Sequence, residues 1–303
     1  MSKPLLVVIA GPTASGKTNL SIEMAERFGC PILSLDSRQI FRELSIGTAV
    51  PTPEEQARAK HYFIHSHSIH DEYSAGKYEV EALAVLSEIY KKHRIAIAVG
   101  GSTLYMKAIL DGFDEFPDIR PSAAQTVQEW HHKGGLSFWL EKLKILDPEY
   151  YEIVDRENPR RVQRALEVCV SSGKSYSSFR TTEPKERDFR AIVFAPELNR
   201  EVLYRRINQR VDHMIADGLI DEAKEVFDYR DKKSLQTVGY RELFRYFDGE
   251  MDLETAISEI KKNTRRYAKR QLTWLRGDER VVWVDFKNKE QIIERIEEIL
   301  DHQ

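Results

Sequence analysis

Short apolar runs alternate along the chain with stretches whose apolar residues recur at helical spacing. The apolar runs predict five strands, at 5–10, 31–35, 95–99, 191–195 and 281–284. An amphipathic helical pattern follows each of them. Strands that are apolar throughout and separated by helices are typical of a parallel sheet buried on both faces. The pattern therefore predicts an α/β fold, a parallel sheet sandwiched by helices.

The alternation stops between residues 114 and 187. This stretch has no strand-like run, and amphipathic patches around Trp130, Trp139 and Leu143 predict helices. Strand character returns after residue 188. We therefore predict an inserted all-helical domain at 114–187, within a core formed by residues 1–113 and 188–303.

The first apolar run leads directly into Gly11-Pro12-Thr13-Ala14-Ser15-Gly16-Lys17-Thr18. This is G-x-x-x-x-G-K-T between a strand and a helix, the context that distinguishes a P-loop from a chance match. Its glycines let successive amides face an anion, Lys17 adds charge, and the Thr18 hydroxyl can hold Mg²⁺. All eight residues are predicted to bind a diphosphate or triphosphate, in a P-loop NTPase-like sheet.

Polar residues follow two further predicted strands, where ligands of parallel sheets bind. Asp36 ends the second strand, and its carboxylate fits a general base, a magnesium ligand or a helix N-cap. Gly100 and Gly101 end the third, and they indicate either close approach to a ligand or a tight turn. The four histidines between His61 and His70 do not favour a metal cluster, because their spacing fits no single helix or strand.

Two stretches concentrate positive charge. Arg160, Arg161 and Arg164 share one helical face, which indicates a solvated surface, ion pairs with Glu157 and Glu167, or contact with phosphates. The predicted helix from 253 to 275 is more basic, and no acid occurs between Glu259 and Asp278. Its cations are Lys261, Lys262, Arg265, Arg266, Lys269, Arg270 and Arg276, with Tyr267 and Trp274 interleaved. This second stretch favours binding to a nucleic-acid backbone.

Composition narrows the remaining classes of protein. The chain has 303 residues and a net charge of -3, so overall charge does not indicate a nucleic-acid binder. Two cysteines, Cys30 and Cys169, are too few for a disulfide framework or a zinc site. No apolar run has membrane-spanning length and the first residues lack a signal sequence, so a cytoplasmic location is expected.

Further motifs lie between these features in a specific order. They are D-S-R-Q at 36–39, I-G-T-A at 46–49, G-G-S-T-L-Y at 100–105, R-R-V-Q-R-A-L-E at 160–167, Q-T-V-G-Y-R-E at 236–242 and R-Y-A-K-R-Q-L-T-W-L-R at 266–276. Together with the P-loop they span nearly the whole chain. In these motifs the sequence resembles the tRNA dimethylallyltransferase family.

The resemblance implies a reaction. The enzyme would transfer a dimethylallyl group from dimethylallyl diphosphate to N6 of adenosine 37 in tRNA anticodon loops, releasing diphosphate, with Mg²⁺ as cofactor. The P-loop would hold the diphosphate and ATP would not be a substrate. Asp36 would act as the general base, and Thr13 and Lys17 would contact the leaving group. The expected protein is a monomer without membrane contact.

The resemblance also implies tRNA contacts, from the inserted domain and from the core. They are Asp36, Ser37, Arg38, Gln39, Ser102, Arg160, Arg161, Val162, Gln163, Arg164, Gly239, Tyr240, Arg241, Lys269, Arg270, Gln271, Trp274 and Arg276. The chain departs from the family pattern at Phe41, Val50 and Ala124, where the family often has Tyr, Lys and Arg. Arg120 is the neighbouring residue that could replace the missing arginine.

Three other functions fit some of these features. A small-molecule P-loop kinase would use the same loop and Asp36, but it has no need of a basic helix studded with aromatic residues. An isopentenyl transferase acting on free AMP would share the chemistry, but not the tRNA-facing segments. An RNA-binding module with a P-loop switch would not need Asp36 beside an intact P-loop.

Overall fold

The computed structural model describes residues 3–181 and 183–301, and within them six parallel strands form one sheet. The strands are β1 (Leu5–Ala10), β2 (Ile32–Ser34), β3 (His61–Tyr62), β4 (Ile95–Gly100), β5 (Arg190–Pro196) and β6 (Val281–Val284). Their order across the sheet is β3-β2-β4-β1-β5-β6. The predicted parallel α/β fold is confirmed, and β1 with its P-loop lies between two long strands.

The sheet has one more strand than the five predicted. β3 pairs Ile32 with His61 and Leu33 with Tyr62 at the sheet edge. It is two residues long and lies in a histidine-rich segment without an apolar run. Apolar periodicity cannot detect such a strand, because β3 exists through pairing with its neighbour.

The core explains why the strands are apolar throughout. Leu5, Val7 and Ile9 pack in one cluster with residues of the first and last helices of the chain. Leu6 and Val8, which point to the opposite face, are fully buried as well. The sheet is thus covered on both sides.

The helices of the core follow the predicted pattern closely. They are α1 (Lys17–Phe28), α2 (Pro53–Arg58), α3 (Ala75–Tyr90), α4 (Thr103–Leu110), α8 (Arg200–Ala216), α9 (Leu219–Glu225), α10 (Tyr240–Phe247), α11 (Leu253–Arg276) and α12 (Lys289–Asp301). Thr52 and Ser74 cap α2 and α3, each accepting a backbone amide of the first turn. None of the helices in the described ranges is both long and apolar enough to cross a bilayer.

One helix was missed. The sequence predicts a loop from Gln236 to Glu242, but α10 begins at Tyr240. Gly239 precedes it with φ of 101°, and its amide donates to the Glu242 carboxylate at 2.8 Å. The Glu242 carboxylate thus caps the Gly239 amide at the start of this helix. Tyr240, Leu243, Phe244 and Phe247 recur at helical spacing, so the sequence did carry a signal for this helix.

Residues 112–185 form a second compact unit, described here by itself. The predicted limits were 114 and 187, and residue 182 lies outside the described residues. The unit contains α5 (Pro121–Leu146), α6 (Pro148–Ile153) and α7 (Pro159–Ser172), and its described residues contain no strand. Non-helical backbone angles at Gly134 and Gly135 interrupt α5. The unit has a hydrophobic core of its own, to which Trp139, Leu143 and Val162 contribute.

Candidate phosphate and nucleoside site

A cavity of about 340 Å³ opens where the strands of the core end. The P-loop, the segment after β2, the glycines after β4 and helices α8 and α11 all contribute to its wall. Among the lining residues are Thr13, Lys17, Thr18, Asp36, Gly101, Arg210, Tyr267 and Gln271. Packing of α8 against α11, through Leu203, Ile207 and Ala268, brings the last two helices to the P-loop side.

The P-loop presents backbone amides to this region. Gly16 has φ of 90° and stands at the N-terminal end of α1, where no side chain among the described residues caps the helix. Ala14 also adopts a left-handed conformation, with φ of 62°. Amides at a helix start that no side chain accepts are a suitable partner for a phosphate.

Lys17 lies in this loop, and two other charged residues, Arg210 and Asp36, act on its ammonium group. Its Nζ donates to the Pro12 carbonyl at 3.1 Å. Burial, and secondly the positive charge of Arg210, lower the pKa of Lys17 to about 8, while Asp36 opposes the shift. Burial also lowers the pKa of Arg210. Two partly desolvated cations facing one carboxylate make the site favourable for an anionic ligand.

Asp36 uses only one of its carboxylate oxygens within the protein. Oδ1 accepts the backbone amides of Arg38 at 2.8 Å and Gln39 at 3.3 Å. Asp36 therefore caps a turn at residues 37–40 and not a helix, since no helix of the described chain begins between β2 and α2. Oδ2 accepts no hydrogen bond from the part of the chain that the structure describes, so this second carboxylate oxygen is available to a ligand.

The paired glycines after β4 are required by close packing within the protein. A Cβ on Gly100 would lie 2.5 Å from the Leu35 carbonyl oxygen, and one on Gly101 would lie 2.2 Å from Gln271 Nε2. That amide nitrogen donates to the Gly101 carbonyl at 2.7 Å. Both glycines also line the cavity, so the tight approach fixes α11 against the site.

Sequence reasoning gave Arg210 no role. In the sequence it is one of several arginines on the polar side of its helix, with Arg205 and Arg206. Its place in the cavity follows from the packing of α8 against the P-loop side, which no local pattern reports. The available signal was its spacing: Arg210 lies three and seven residues after the buried Ile207 and Leu203, at the edge of the core-facing stripe.

The predicted tRNA residues of the core divide into two groups. Those that line the cavity are Asp36, Ser37, Arg38, Gln39, Gly239, Arg241, Arg270 and Gln271. Those outside its wall are Ser102, which caps α4, and Tyr240, Lys269, Trp274 and Arg276. Tyr240 is fully buried, and its burial removes its side chain from the candidate RNA contacts.

The cations of α11 also divide into two groups. Lys261 pairs with Asp212 at 2.5 Å, Lys262 with Glu259 at 2.8 Å, and Arg265 donates to Asn208 at 2.6 Å. The others are exposed and form no ion pair with any described residue: Arg266, Lys269, Arg270 and Arg276. The predicted basic patch is thus reduced to its C-terminal half.

In the second unit, the three arginines of α7 are exposed. None forms an ion pair with a described residue, and Glu167 instead accepts from Gln163 at 2.7 Å. The ion-pair interpretation of these arginines is therefore not supported. Val162 is fully buried, which removes it from the candidate contacts. Arg120 donates to the Val170 carbonyl at 3.0 Å and holds the start of α5 to α7.

The four histidines lie in separate surroundings. His61 lines the cavity, and burial lowers its pKa. His65 lies 3.3 Å from the Ser45 hydroxyl, His67 lies 3.6 Å from Glu81, and His70 packs on Tyr229. Within the described residues, no group of three His, Cys, Asp or Glu side chains could hold a metal ion.

A P-loop at the carboxyl edge of a parallel sheet, with Lys17 and Arg210 in one cavity, defines a P-loop-type α/β protein with a site suited to a phosphorylated ligand. The sequence model of the IPP transferase family matches residues 39–278. The chain belongs to that family.

Its relatives match over nearly their full length. A tRNA dimethylallyltransferase of Christiangramia forsetii is 50% identical over 96% of this chain and 97% of its own. A tRNA dimethylallyltransferase 1 of Bacteroides thetaiotaomicron is 45% identical over 96% and 94%. The solved tRNA isopentenylpyrophosphate transferase of Bacillus halodurans is 35% identical, with a TM-score of 0.72 over 99% of this chain and 100% of that one.

Proposed function

We propose that this protein transfers the dimethylallyl group of dimethylallyl diphosphate to N6 of adenosine 37 in tRNA and releases diphosphate. The observation that carries the proposal is one cavity lined by an available carboxylate, Asp36, and two partly buried cations, Lys17 and Arg210. Membership in the IPP transferase family supports the reaction class, and the names of its relatives support tRNA as acceptor.

The proposed reaction uses both the negative charge of Asp36 and the positive charges of Lys17 and Arg210. The N6 amine of adenine is a weak nucleophile, because its lone pair is delocalised into the ring. As N6 bonds to the allylic carbon, the carbon–oxygen bond to diphosphate breaks and the amine loses a proton. Asp36 Oδ2 takes that proton, while Oδ1 keeps the turn to Arg38 and Gln39.

Negative charge builds on the departing diphosphate. Lys17, Arg210, the Thr13 hydroxyl and the amides at the start of α1 stabilise it. These groups are fixed before the substrate binds, so little reorganisation opposes the reaction.

Mg²⁺ fits the same place. The Thr18 hydroxyl lines the cavity beside Lys17, and no described cluster of side chains would hold an ion alone. Mg²⁺ commonly takes few protein oxygens and completes its shell with phosphate oxygens and water. Thr18 would supply the protein oxygen, and the ion when bound would neutralise charge on the diphosphate.

The tRNA is held by exposed cations that form no ion pair with a described residue. Arg266, Lys269, Arg270 and Arg276 of α11 contact backbone phosphates, and so do Arg160, Arg161 and Arg164 of α7. Adenosine 37 leaves the loop stack to reach Asp36. The relatives reported above are named for transfer to tRNA, which supports neither the kinase nor the AMP alternative.

Mass spectrometry of a tRNA digest tests the proposal. Unmodified tRNA is incubated with the protein, Mg²⁺ and dimethylallyl diphosphate, beside a matched tRNA that carries guanosine at position 37. One five-carbon addition on adenosine 37, absent from the guanosine tRNA, is expected. Addition to AMP instead, or phosphate transfer from ATP to a small acceptor, would overturn it.

A further inference from the structure

The Glu222 carboxylate on α9 accepts four hydrogen bonds. Oε2 accepts the backbone amides of Ser45 at 2.8 Å and Ile46 at 2.7 Å. Oε1 accepts the Gly47 amide at 2.9 Å and the Tyr240 hydroxyl at 2.5 Å. Three consecutive amides converging on one carboxylate form an anion-binding turn whose anion belongs to the protein itself.

This turn continues into the wall of the cavity. Gly47, Thr48 and Ala49 line it. From the other side, Gln39 Nε2 donates to the carbonyls of Thr48 at 3.2 Å and Ala49 at 2.9 Å. The wall is thus held at its amides by Glu222 and at its carbonyls by Gln39.

The residue types of two motifs follow from this arrangement. A Cβ on Gly47 would lie 2.6 Å from the Tyr240 hydroxyl oxygen, so a glycine is needed where that hydroxyl reaches Glu222. Burial, and secondly the charge of Glu222, raise the pKa of Tyr240, which keeps the hydroxyl protonated and able to donate. Gly47 of the I-G-T-A motif and Tyr240 of the Q-T-V-G-Y-R-E motif therefore both take part in the contact with Glu222.

Ala49 and its neighbour Val50 also border the outer side of the P-loop, beside Lys17, Thr18 and Arg210. The wall that Glu222 holds is therefore the one that faces the phosphate-binding residues. A change in its position alters the space available to the diphosphate more than the contacts of a distant RNA backbone.

We propose that Glu222 is a positioning residue for the donor: by holding the amides of residues 45–47 with Tyr240, it fixes the cavity wall against which dimethylallyl diphosphate binds. The inference rests on the proposed transfer reaction. It assigns Glu222 no contact with either substrate, and it predicts that its loss is seen in the donor KM.

The test compares Glu222→Gln with Glu225→Gln, an exposed glutamate at the end of the same helix. The amide of glutamine cannot accept at both ends, so at least one pair of bonds is lost. We expect the donor KM of Glu222→Gln to rise on the order of tenfold, with the tRNA KM and kcat nearly unchanged. Glu225→Gln should match the wild type.

Amide hydrogen exchange gives a second readout that needs no substrate. The amides of Ser45, Ile46 and Gly47 should exchange on the order of tenfold faster in Glu222→Gln. Tyr240→Phe removes one bond of four, and a two- to threefold rise in donor KM is expected, about the share of one hydrogen bond. This milder variant decides the matter if Glu222→Gln does not fold.

The outcomes separate the two proposals. If the wild type transfers the prenyl group and both variants keep the wild-type donor KM and amide exchange, the role of Glu222 is wrong. Equal rises in the donor and tRNA KM would also overturn it, since they indicate general loosening. If the wild type transfers nothing to tRNA, the proposed function fails, and the exchange rates still decide whether Glu222 holds the turn.

Discussion

Two carboxylates hold backbone amides beside the same cavity, and they differ in what remains after those bonds are made. Glu222 uses both oxygens, on three amides and the Tyr240 hydroxyl. Asp36 uses Oδ1 on two amides, and its Oδ2 has no donor among the described residues. Asp36 also faces Lys17 and Arg210, whereas neutral donors surround Glu222.

The difference separates a scaffold from a reactive group. A carboxylate that already accepts four hydrogen bonds has no acceptor site left for a proton of a substrate. A carboxylate with an available oxygen can take a proton while its other oxygen keeps the local turn. Counting the satisfied oxygens of each carboxylate therefore distinguishes the two roles.

Asp36→Asn should produce the largest change. The asparagine Oδ1 can still accept the amides of Arg38 and Gln39, so the turn is kept and only the base is lost. We expect single-turnover transfer to fall by about 10²–10⁴-fold, the usual contribution of a general base. Transfer to adenosine 37 is measured with saturating donor and tRNA.

Two controls isolate the base. The tRNA dissociation constant should stay within about twofold of the wild type. Asp221→Asn, an exposed acid on α9, should transfer at the wild-type rate. Normal turnover by Asp36→Asn would remove the distinction between the two carboxylates.

The pH dependence of donor use sharpens the electrostatic half of the comparison. Burial and Arg210 lower the pKa of Lys17 to about 8, so Lys17 loses its proton as pH rises through that value. A neutral amine stabilises diphosphate poorly, and kcat/KM for the donor should therefore fall above pH of about 8. The profile of kcat/KM reports the free enzyme, and it is the quantity to measure.

Arg210→Gln tests the cause of that profile. It should lower the plateau of kcat/KM by roughly 10- to 100-fold, and move the alkaline fall to higher pH because one cause of the lowered pKa is gone. Arg205→Gln, on the exposed side of α8, is the matched control and should change neither. An unshifted fall in Arg210→Gln would mean that another group titrates.

Gly47→Ala changes the packing around Glu222 without changing its charge. The added methyl would lie 2.6 Å from the Tyr240 hydroxyl oxygen, so the ring or the turn must move. We expect a loss of unfolding free energy of about 1–3 kcal/mol, measured by denaturant unfolding, with a raised donor KM.

Gly76→Ala is its control, because the nearest atom to a Cβ at Gly76 is Ser74 Oγ at 3.8 Å and the residue lies in α3. That variant should gain up to about 1 kcal/mol. A Gly47→Ala protein as stable as Gly76→Ala would contradict the packing of Tyr240 on this turn.

Local patterns predicted much of the fold. Apolar periodicity is clear in the long strands and in α1, α3 and α11. Thr52 and Ser74 are residue types that favour helix N-caps, and they mark the starts of α2 and α3. α10 was missed although Tyr240, Leu243, Phe244 and Phe247 recur at helical spacing, because its first residues were assigned to a loop. β3 was missed because its two residues form a strand only by pairing with β2. Short elements defined by tertiary contacts leave little trace in periodicity.

The site could be predicted where the residue types of one local motif indicate their chemistry by themselves. The P-loop and Asp36 are such cases, and Thr13, Lys17 and Thr18 of the loop line one cavity with Asp36. Arg210 and Glu222 could not be assigned, since their partners lie far away in the chain and are reached only through helix packing. The cations of α11 could not be ranked from the sequence, because the contacts of Lys261 and Arg265 with α8 are not visible in it.

The same rule of satisfied and available groups divides the cations of α11. Lys261 and Lys262 are paired with acids, whereas Lys269 and Arg270 are exposed and unpaired among the described residues. Lys269→Ala with Arg270→Ala should weaken tRNA binding on the order of tenfold at moderate salt. It should also reduce the slope of log K against log salt by about 1 to 2, since each phosphate contact contributes roughly 0.7–0.9. Lys261→Ala with Lys262→Ala removes the same charge and should reduce the slope less. Equal slopes for the two double variants would show that net charge alone, and not pairing, decides which cations of α11 meet the RNA.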